Sequence, residues 1–223
     1  MKAILKRRTP LVYLITDRRK LPRQSRRPEP QALIDFLRAA IAAGVDLIQL
    51  RERDLPARAL LAIADAIAPQ AEQAGASILI NDRADVAACA GAGVHLTTRS
   101  MKAEAVRRAF GERMLIGAST HNLDEARAAA SEGADFIVFG PVFETESKKI
   151  YGPPVGLAAL RAVVGQLTIP VIALGGIKPD NFQDALGAGA AGVAAISMFV
   201  EADDLPHLIR RIKSAATNFH MNE

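Results

Sequence analysis

The sequence predicts a single (β/α)8 barrel, and three observations support this α/β fold. Eight short apolar runs recur along the 223 residues, with helical patterns between them. The runs are continuously apolar instead of alternating, which is typical of parallel strands buried on both faces. The length is ordinary for one such barrel, and no composition change marks a second domain. We therefore expect one TIM-barrel domain over residues 1–223.

The predicted strands are short and rich in Val, Ile, Leu and Phe, as buried strands require. They cover residues 11–16, 46–50, 78–80, 94–96, 114–117, 136–139, 170–174 and 192–196. Helical patterns cover residues 31–43, 57–73, 157–164, 181–186 and 204–215. A short Ala-rich helix is expected between strands three and four. Another helix is expected to begin near Asn122, because Asp124 and Glu125 would then lie in a first turn that favours acidic residues.

Composition restricts the function. Half of the residues are hydrophobic but only 4% are aromatic, so Ala, Val, Leu and Ile must form the core. The net charge of +4 is concentrated between Arg18 and Arg27, within a predicted loop over 18–30. No aromatic residues are interleaved there for base stacking, so we expect a solvated loop and no nucleic-acid partner. Residues 1–10 and 218–223 are predicted to be tails.

The single cysteine and the hydropathy pattern give further expectations. Cys89 allows no internal disulfide and is expected to be a small buried residue in its Ala-rich helix. The N-terminus lacks the apolar run of a signal peptide, and no segment approaches the roughly 18 apolar residues of a membrane span. A cytoplasmic protein without membrane contact is expected. A homo-oligomer is compatible with the sequence, which does not fix the oligomeric state.

Polar residues collect where the predicted strands end. In a barrel these ends meet at one face, where barrel enzymes place their chemistry. In chain order the residues are Thr16, Asp17, Gln49, Arg51, Arg53, Asn81, Asp82, His95, Thr97, Thr98, Ser100, Ser119, Thr120, His121, the 140–149 loop with Lys148, Gly175, Gly176, Ile196 and Ser197.

Two parts of this face predict anion binding. Gly175, Gly176 and the turn after Ile196 follow strands seven and eight, where barrels bind phosphate through backbone N–H groups. Lys148, Arg51 and Arg53 could neutralise a second anion, such as a leaving diphosphate.

Of three further residues at this face, two have alternative roles. Asp82 could hold Mg²⁺ against that anion, or it could serve as a turn or cap residue. His121 could be a general acid or base, or a helix-cap neighbour with a satisfied imidazole. His95 lies beside an apolar strand and is expected to be mainly structural.

At these residues the sequence resembles the thiamine phosphate synthase/TenI family of TIM barrels, from Val12 to Met198. QLRERD at 49–54 resembles the family's QLREKD, NDRADVA at 81–87 its INDRxDVA, and GVHL at 93–96 its GVHL. IGASTHNLDEA at 116–126 is similar to IGxSTHxxxEA, FGPVFETESKK at 139–149 to GPxFxTxTKK, and IPVIALGGI at 169–177 to IPVxAIGGI.

The resemblance implies an enzyme that couples hydroxymethylpyrimidine diphosphate with thiazole phosphate, giving thiamine phosphate and diphosphate. It implies that Gln49 and Asn81 meet the pyrimidine. Arg51, Arg53, Lys148 and Mg²⁺ on Asp82 would hold the diphosphate, and Ser119 would contact the diphosphate or the reacting centre. For the thiazole phosphate it implies contacts from Thr145, Ser147, Gly176, Ile196 and Ser197.

The sequence departs from the synthase pattern at two positions. Ser100 stands where the pattern has Asp, the second Mg²⁺ ligand, which weakens the expected metal site. Arg53 replaces the usual Lys, which keeps the charge but changes its geometry.

Two other functions stay open. FETESKK is close to the TenI branch, whose members isomerise the thiazole carboxylate phosphate, and His121 would be the acid or base of such a tautomerase. Gln49, in contrast, is expected of a synthase. A regulatory barrel that binds thiazole phosphate without turnover is the third hypothesis.

Overall fold

The structure, a computed structural model, describes residues 2–6, 9–21, 29–145 and 153–215. Eight parallel strands close into a barrel in chain order, and β8 pairs with β1. The predicted (β/α)8 TIM barrel is therefore confirmed. The strands are β1 Leu11–Ile15, β2 Leu47–Leu50, β3 Ser77–Asn81, β4 Gly93–Leu96, β5 Ile116–Thr120, β6 Phe136–Phe139, β7 Val171–Leu174 and β8 Gly192–Ala195.

The fifth strand begins two residues later than predicted. The carbonyl of Met114 accepts a hydrogen bond from the Arg107 side chain, and the Asp135 carboxylate accepts one from Ile116 N at 2.8 Å. Both bonds lie at the start of β5. The strand extends to Thr120, because pairing with β6 continues to that residue and places Ser119 opposite Val138.

The described helices lie outside the sheet. They are α1 Glu29–Ala43, α2 Ala57–Ala74, α3 Ala84–Cys89, α4 Ala103–Phe110, α5 Leu123–Ser131, α6 Gly156–Val164, α7 Phe182–Gly187, α8 Ser197–Val200 and α9 Leu205–Lys213. The predicted start near Asn122 is confirmed, because Asn122 Oδ1 accepts a bond from Glu125 N at 2.8 Å. The sequence indicated no boundaries for α4, which buries only Ala103 and Val106, or for the single turn of α8. No helix in the described ranges is long and apolar enough to cross a membrane.

The core has two layers. The larger one packs the helices onto the outer face of the sheet, and the smaller one fills the barrel. The inner cluster contains Ile4, Leu5, Leu11, Tyr13, Ile15, Leu47, Leu79, Leu115, Phe136, Val138, Ile172 and Ala194.

Part of the predicted N-terminal tail belongs to this inner core. Residues Lys2–Lys6 form a 3-10 helix, in which Ile4 and Leu5 are buried. Lys2 also pairs with Asp135 at 2.8 Å. The two apolar side chains cover the amino-terminal end of the barrel, where Leu11 and Leu115 would otherwise meet water. The prediction of a tail is therefore wrong for residues 2–6.

Leu5→Ala is expected to lower the free energy of unfolding by about 2–4 kcal/mol, because the leucine is buried in the inner cluster. Lys6→Ala, at the adjacent exposed position, should change it by less than about 0.5 kcal/mol. Urea unfolding of both variants measures the difference. Equal stability of the two variants would mean that residues 2–6 do not seal the barrel.

The expectation of a buried Cys89 is also wrong. Helix α3 turns Ala84, Val86 and Ala87 towards the core, and Cys89 falls on its exposed face. The alanines on both sides of the cysteine gave no helical periodicity from which its face could be predicted.

Candidate functional site

The interior of the barrel is polar on one side of its carboxyl-end mouth. Side chains alternate between the two faces of each strand, and the inner face of strands β2 to β5 ends in polar residues. These are Gln49, Asn81, His95 and Ser119. The opposite side is apolar, since Val138, Leu174 and Ile196 belong to the inner cluster or pack against it. The mouth can therefore receive a ligand with both polar and apolar edges.

A chain of hydrogen bonds connects two of these polar residues through the barrel interior. Gln49 Nε2 donates to Tyr13 Oη at 3.1 Å, and Tyr13 Oη lies 3.1 Å from His95 Nδ1. His95 Nε2 is 2.8 Å from Ser119 Oγ. Gln49, Tyr13 and His95 are buried, whereas Ser119 is half-buried at the mouth.

Sequence reasoning missed Tyr13 and assigned His95 a mainly structural role. All five residues of β1 are buried, so no alternation shows which of them face the interior. The available signal was chemical, because a buried tyrosine hydroxyl in an apolar strand needs a polar partner.

Burial sets the charge states of the residues in this hydrogen-bond chain. It raises the pKa of the Tyr13 hydroxyl, so the phenol stays protonated. It also lowers the pKa of His95 to about 3, and the positive charge of Arg51 acts in the same direction. His95 is therefore a neutral imidazole at physiological pH.

A pH-dependent stability follows from the lowered pKa of His95. The unfolded histidine takes up a proton near pH 6.5 but the folded one only near pH 3, so stability present above pH 6.5 is lost as the pH falls through this window. We expect His95 to account for a loss of about 2 kcal/mol between pH 7 and pH 5. Urea unfolding at both pH values should show a smaller loss for His95→Gln than for the unaltered chain. His207→Gln, at an exposed position, should show the full loss, and an equal loss in all three proteins would contradict the assignment.

Arg51 lies at the mouth next to this chain. Its backbone N–H donates to Thr16 Oγ1 at 2.9 Å, which fixes the residue at the end of β2. Partial burial lowers the pKa of Arg51 and the neighbouring Arg53 lowers it further, while the charges of Asp17 and Glu52 offset only part of this effect. No carboxylate among the described residues forms an ion pair with Arg51. A half-buried cation without such a counterion favours an anionic ligand.

Carboxylates close to Arg51 are instead neutralised by Arg18. Its guanidinium bonds to Glu52 Oε2 at 3.1 Å and to both oxygens of Asp54 at 2.7 and 2.8 Å. The same bonds lower the pKa of Asp54. The first arginine of the predicted basic segment therefore holds the loop after β1 against the loop after β2. Residues 22–28 of this segment lie outside the described ranges.

Lys20, also in the basic segment, approaches the end of β8. Its Nζ donates to Ser197 Oγ at 2.7 Å. Ser197 begins α8, whose N-cap residue Ile196 provides no side-chain hydrogen bond. An ammonium group and the first turn of a helix thus meet at one point of the mouth, an arrangement that suits an anion.

The two glycines after β7 support the loop after β6. Phe143 N donates to the Gly175 carbonyl at 3.0 Å, and a Cβ at Gly176 would lie 2.3 Å from the Glu144 carbonyl oxygen. Gly176 has φ +65°, a conformation that other residues adopt only with strain. Gly176 therefore lies against the loop in which Thr145 directly follows Glu144. Ser147 and Lys148, the other predicted contacts of this loop, lie outside the described residues.

Asp82 is the predicted Mg²⁺ ligand, and Ser100 stands where the family pattern has the second ligand. Asp82 is exposed and has φ 59°, the only positive φ at a non-glycine residue in the described ranges. Ser100 Oγ accepts a bond from Thr97 N at 2.7 Å and thereby closes its own turn. The described residues contain no group of three His, Cys, Asp or Glu side chains able to hold a metal. Asp82 therefore fits a Mg²⁺ ion only if diphosphate and water oxygens supply most of its ligands.

His121 is held at the end of β5 by Glu125. Glu125 Oε2 accepts a bond from His121 N at 2.8 Å and lies 3.1 Å from His121 Nδ1. Glu125 N in turn donates to Asn122 Oδ1. His121 is thus the neighbour of a helix cap, with its imidazole oriented by Glu125.

The structure thus gathers the described candidates at the carboxyl ends of the strands. Gln49 and Ser119 are joined through Tyr13 and His95, and Gly176 is joined to the Thr145 loop. Arg53 is exposed after β2, and Asn81 ends β3 on the inner face. This arrangement defines a class of protein: a TIM barrel with a half-polar mouth and cationic groups at its edge.

Comparison with known proteins agrees with this class. A family model described as thiamine monophosphate synthase matches residues 12–199. A protein of Geobacter sulfurreducens is 48% identical over 194 residues, which are 86% of this chain and 88% of that protein. The thiamine-phosphate synthase of Roseiflexus castenholzii is 40% identical over 195 residues, 87% and 82% of the two chains.

A solved structure gives the same result. The thiamine phosphate pyrophosphorylase from Pyrococcus furiosus is similar with a TM-score of 0.79 and 32% identity, over 95% of this chain and 96% of that one. The chain belongs to the thiamine monophosphate synthase family. The resemblance predicted from the motifs is confirmed.

Proposed function

We propose that this chain is a thiamine phosphate synthase, a transferase that couples hydroxymethylpyrimidine diphosphate with thiazole phosphate. The observation that carries the proposal is the half-buried Arg51, which forms no ion pair with a carboxylate among the described residues and feels the charges of Asp17 and Glu52 only at longer range. A diphosphate would supply the missing negative charge. The names of the relatives support the same reaction.

The residues of the mouth would act by position and charge. Departure of diphosphate leaves a resonance-stabilised pyrimidine-methyl cation, which the thiazole nitrogen captures with its lone pair. Arg51 and Arg53 would stabilise the negative charge that develops on the leaving diphosphate. Ser119 would donate a hydrogen bond to it, and the pyrimidine would bind on the polar side, near Asn81.

The thiazole phosphate would bind where the loops after β6, β7 and β8 meet. Lys20 and the first turn of α8 lie at this point, and Gly176 after β7 lies against the loop after β6 that carries Thr145. Binding both substrates in one mouth makes the coupling effectively intramolecular.

Mg²⁺ would neutralise diphosphate charge, and Asp82 would hold it. Because Ser100 supplies no carboxylate, Ser100→Asp is expected to bind Mg²⁺ about tenfold more tightly in the presence of diphosphate. Calorimetric titration of Mg²⁺ into the diphosphate complex measures the change, with Ser131→Asp on the exposed part of α5 as the control. An unchanged affinity would mean that residue 100 does not face the metal.

A thiazole tautomerase is the second candidate, and one contact favours it. Glu125 Oε2 lies 3.1 Å from His121 Nδ1, and this contact orients the imidazole as an acid or base would need to be oriented. Such a reaction would need neither diphosphate nor metal.

Phosphorus NMR of reactions with both substrates and Mg²⁺ separates the hypotheses. A synthase releases diphosphate and forms thiamine phosphate only when both substrates are present. A tautomerase isomerises the thiazole carboxylate phosphate without metal and loses this activity in His121→Gln. Thiazole-phosphate binding without any product would identify a regulatory barrel and overturn the proposed synthase.

A further inference from the structure

The buried hydrogen-bond chain contains two residues that do not reach the mouth. Tyr13 and His95 lie between Gln49 and Ser119, and both are almost completely buried. An apolar pair of similar shape would fill the same space without polar atoms that need partners. The proposed reaction, as described above, assigns no role to either side chain.

The donors and acceptors give this hydrogen-bond chain one direction, from Gln49 to Ser119. Gln49 Nε2 donates to Tyr13 Oη, so the phenol O–H is left to donate to His95 Nδ1. A neutral imidazole with Nδ1 as acceptor carries its proton on Nε2, which then donates to Ser119 Oγ at 2.8 Å. The Ser119 oxygen is thereby occupied as an acceptor, and its own proton points elsewhere.

The ring positions are fixed by packing. The Tyr13 ring meets Phe136 edge-on with centroids 5.8 Å apart, and the His95 ring lies 6.4 Å from the same phenylalanine. The His95 carbonyl also accepts a bond from Asp82 N at 2.9 Å. The imidazole therefore has little freedom to turn away from Ser119.

We infer that Tyr13 and His95 are positioning residues that hold Ser119 as a hydrogen-bond donor towards an anionic oxygen in the barrel mouth. The inference rests on the proposed function, since the anion would be the leaving diphosphate. Without the phenol hydroxyl, Nδ1 can carry the proton and Nε2 can accept from Ser119. The serine proton would then turn inward, away from the ligand.

We call the hydrogen-bond path from Tyr13 through His95 to Ser119 the relay. Tyr13→Phe tests it because the substitution removes one oxygen and keeps the ring. We expect nitrogen-15 NMR to show His95 shifting towards the Nδ1–H tautomer, and the affinity for inorganic diphosphate to fall about tenfold by calorimetry. In a Ser119→Ala background the same substitution should change diphosphate affinity by less than about twofold, because the group on which it acts is gone.

The outcomes separate the relay from the proposed reaction. A folded Tyr13→Phe variant with unchanged tautomer and diphosphate affinity would overturn the inference, even if coupling product forms. If Tyr13→Phe lowers diphosphate affinity equally with and without the Ser119 hydroxyl, the inference is also overturned, since the Tyr13 hydroxyl would then not act through Ser119. If Tyr13→Phe shifts the tautomer and weakens diphosphate binding, but the unaltered protein forms no coupling product, the synthase proposal is overturned and the relay stands.

Discussion

Arg51→Met is expected to lower kcat/KM for the coupling reaction by about 100- to 1,000-fold, the range found when one charge-stabilising group is removed. The same change should leave the free energy of unfolding unchanged or raise it by less than about 1 kcal/mol. Activity should therefore fall while stability is kept or rises, because a partly buried cation without an ion-pair partner among the described residues does not stabilise the fold. A residue kept for folding would show a loss of stability instead.

Steady-state kinetics and urea unfolding of the same preparations measure both effects. Arg108→Met is the matched control, since Arg108 is exposed in the last turn of α4, which leads to the amino-terminal end of the barrel, opposite the mouth. It should leave kcat/KM and stability unchanged. Wild-type activity in Arg51→Met would show that Arg51 does not bind the diphosphate, and a marked loss of stability would show that Arg51 is needed for folding.

Gly176→Ala is expected to lower the affinity for thiazole phosphate more than tenfold and the free energy of unfolding by about 1–3 kcal/mol. Its Cβ would lie 2.3 Å from the Glu144 carbonyl oxygen, so the loop after β6 must move. Thr145 lies on that loop and would move with it.

Gly91→Ala separates strain from steric contact. Gly91 has φ +60°, close to that of Gly176, but nothing lies within 4 Å of its Cβ position. Gly91→Ala should lower the free energy of unfolding by only about 1 kcal/mol, the cost of a positive φ at alanine, and should keep full thiazole-phosphate affinity. Calorimetry and urea unfolding compare the two variants, and equal behaviour would mean that the contact with the Glu144 carbonyl has no role in binding.

The sequence predicted the fold because barrel strands are buried on both faces and read as apolar runs. It also placed the polar strand ends on one face, since parallel strands share a carboxyl edge. The same uniform burial hid the inner face of β1, so the Tyr13 hydroxyl and its link to His95 could not be predicted. Side-chain contacts between distant residues, such as Arg18 with Glu52, were equally hidden because they depend on loop geometry.

The start of the chain illustrates a different limit. Only two large apolar residues, Ile4 and Leu5, mark the segment that covers the barrel, and the lysines at positions 2 and 6 are typical of a solvated tail. Their burial depends on the open end of the inner cluster, a feature of the closed barrel that no local pattern contains.

A crystal structure of the protein grown with thiamine phosphate, diphosphate and Mg²⁺ tests most directly whether one mouth holds both products. We predict diphosphate oxygens within hydrogen-bond distance of Arg51 and Ser119, and the phosphate of thiamine phosphate at Gly176 and Ser197. Products bound at the amino-terminal end of the barrel, or a diphosphate that does not contact Arg51, would contradict the account.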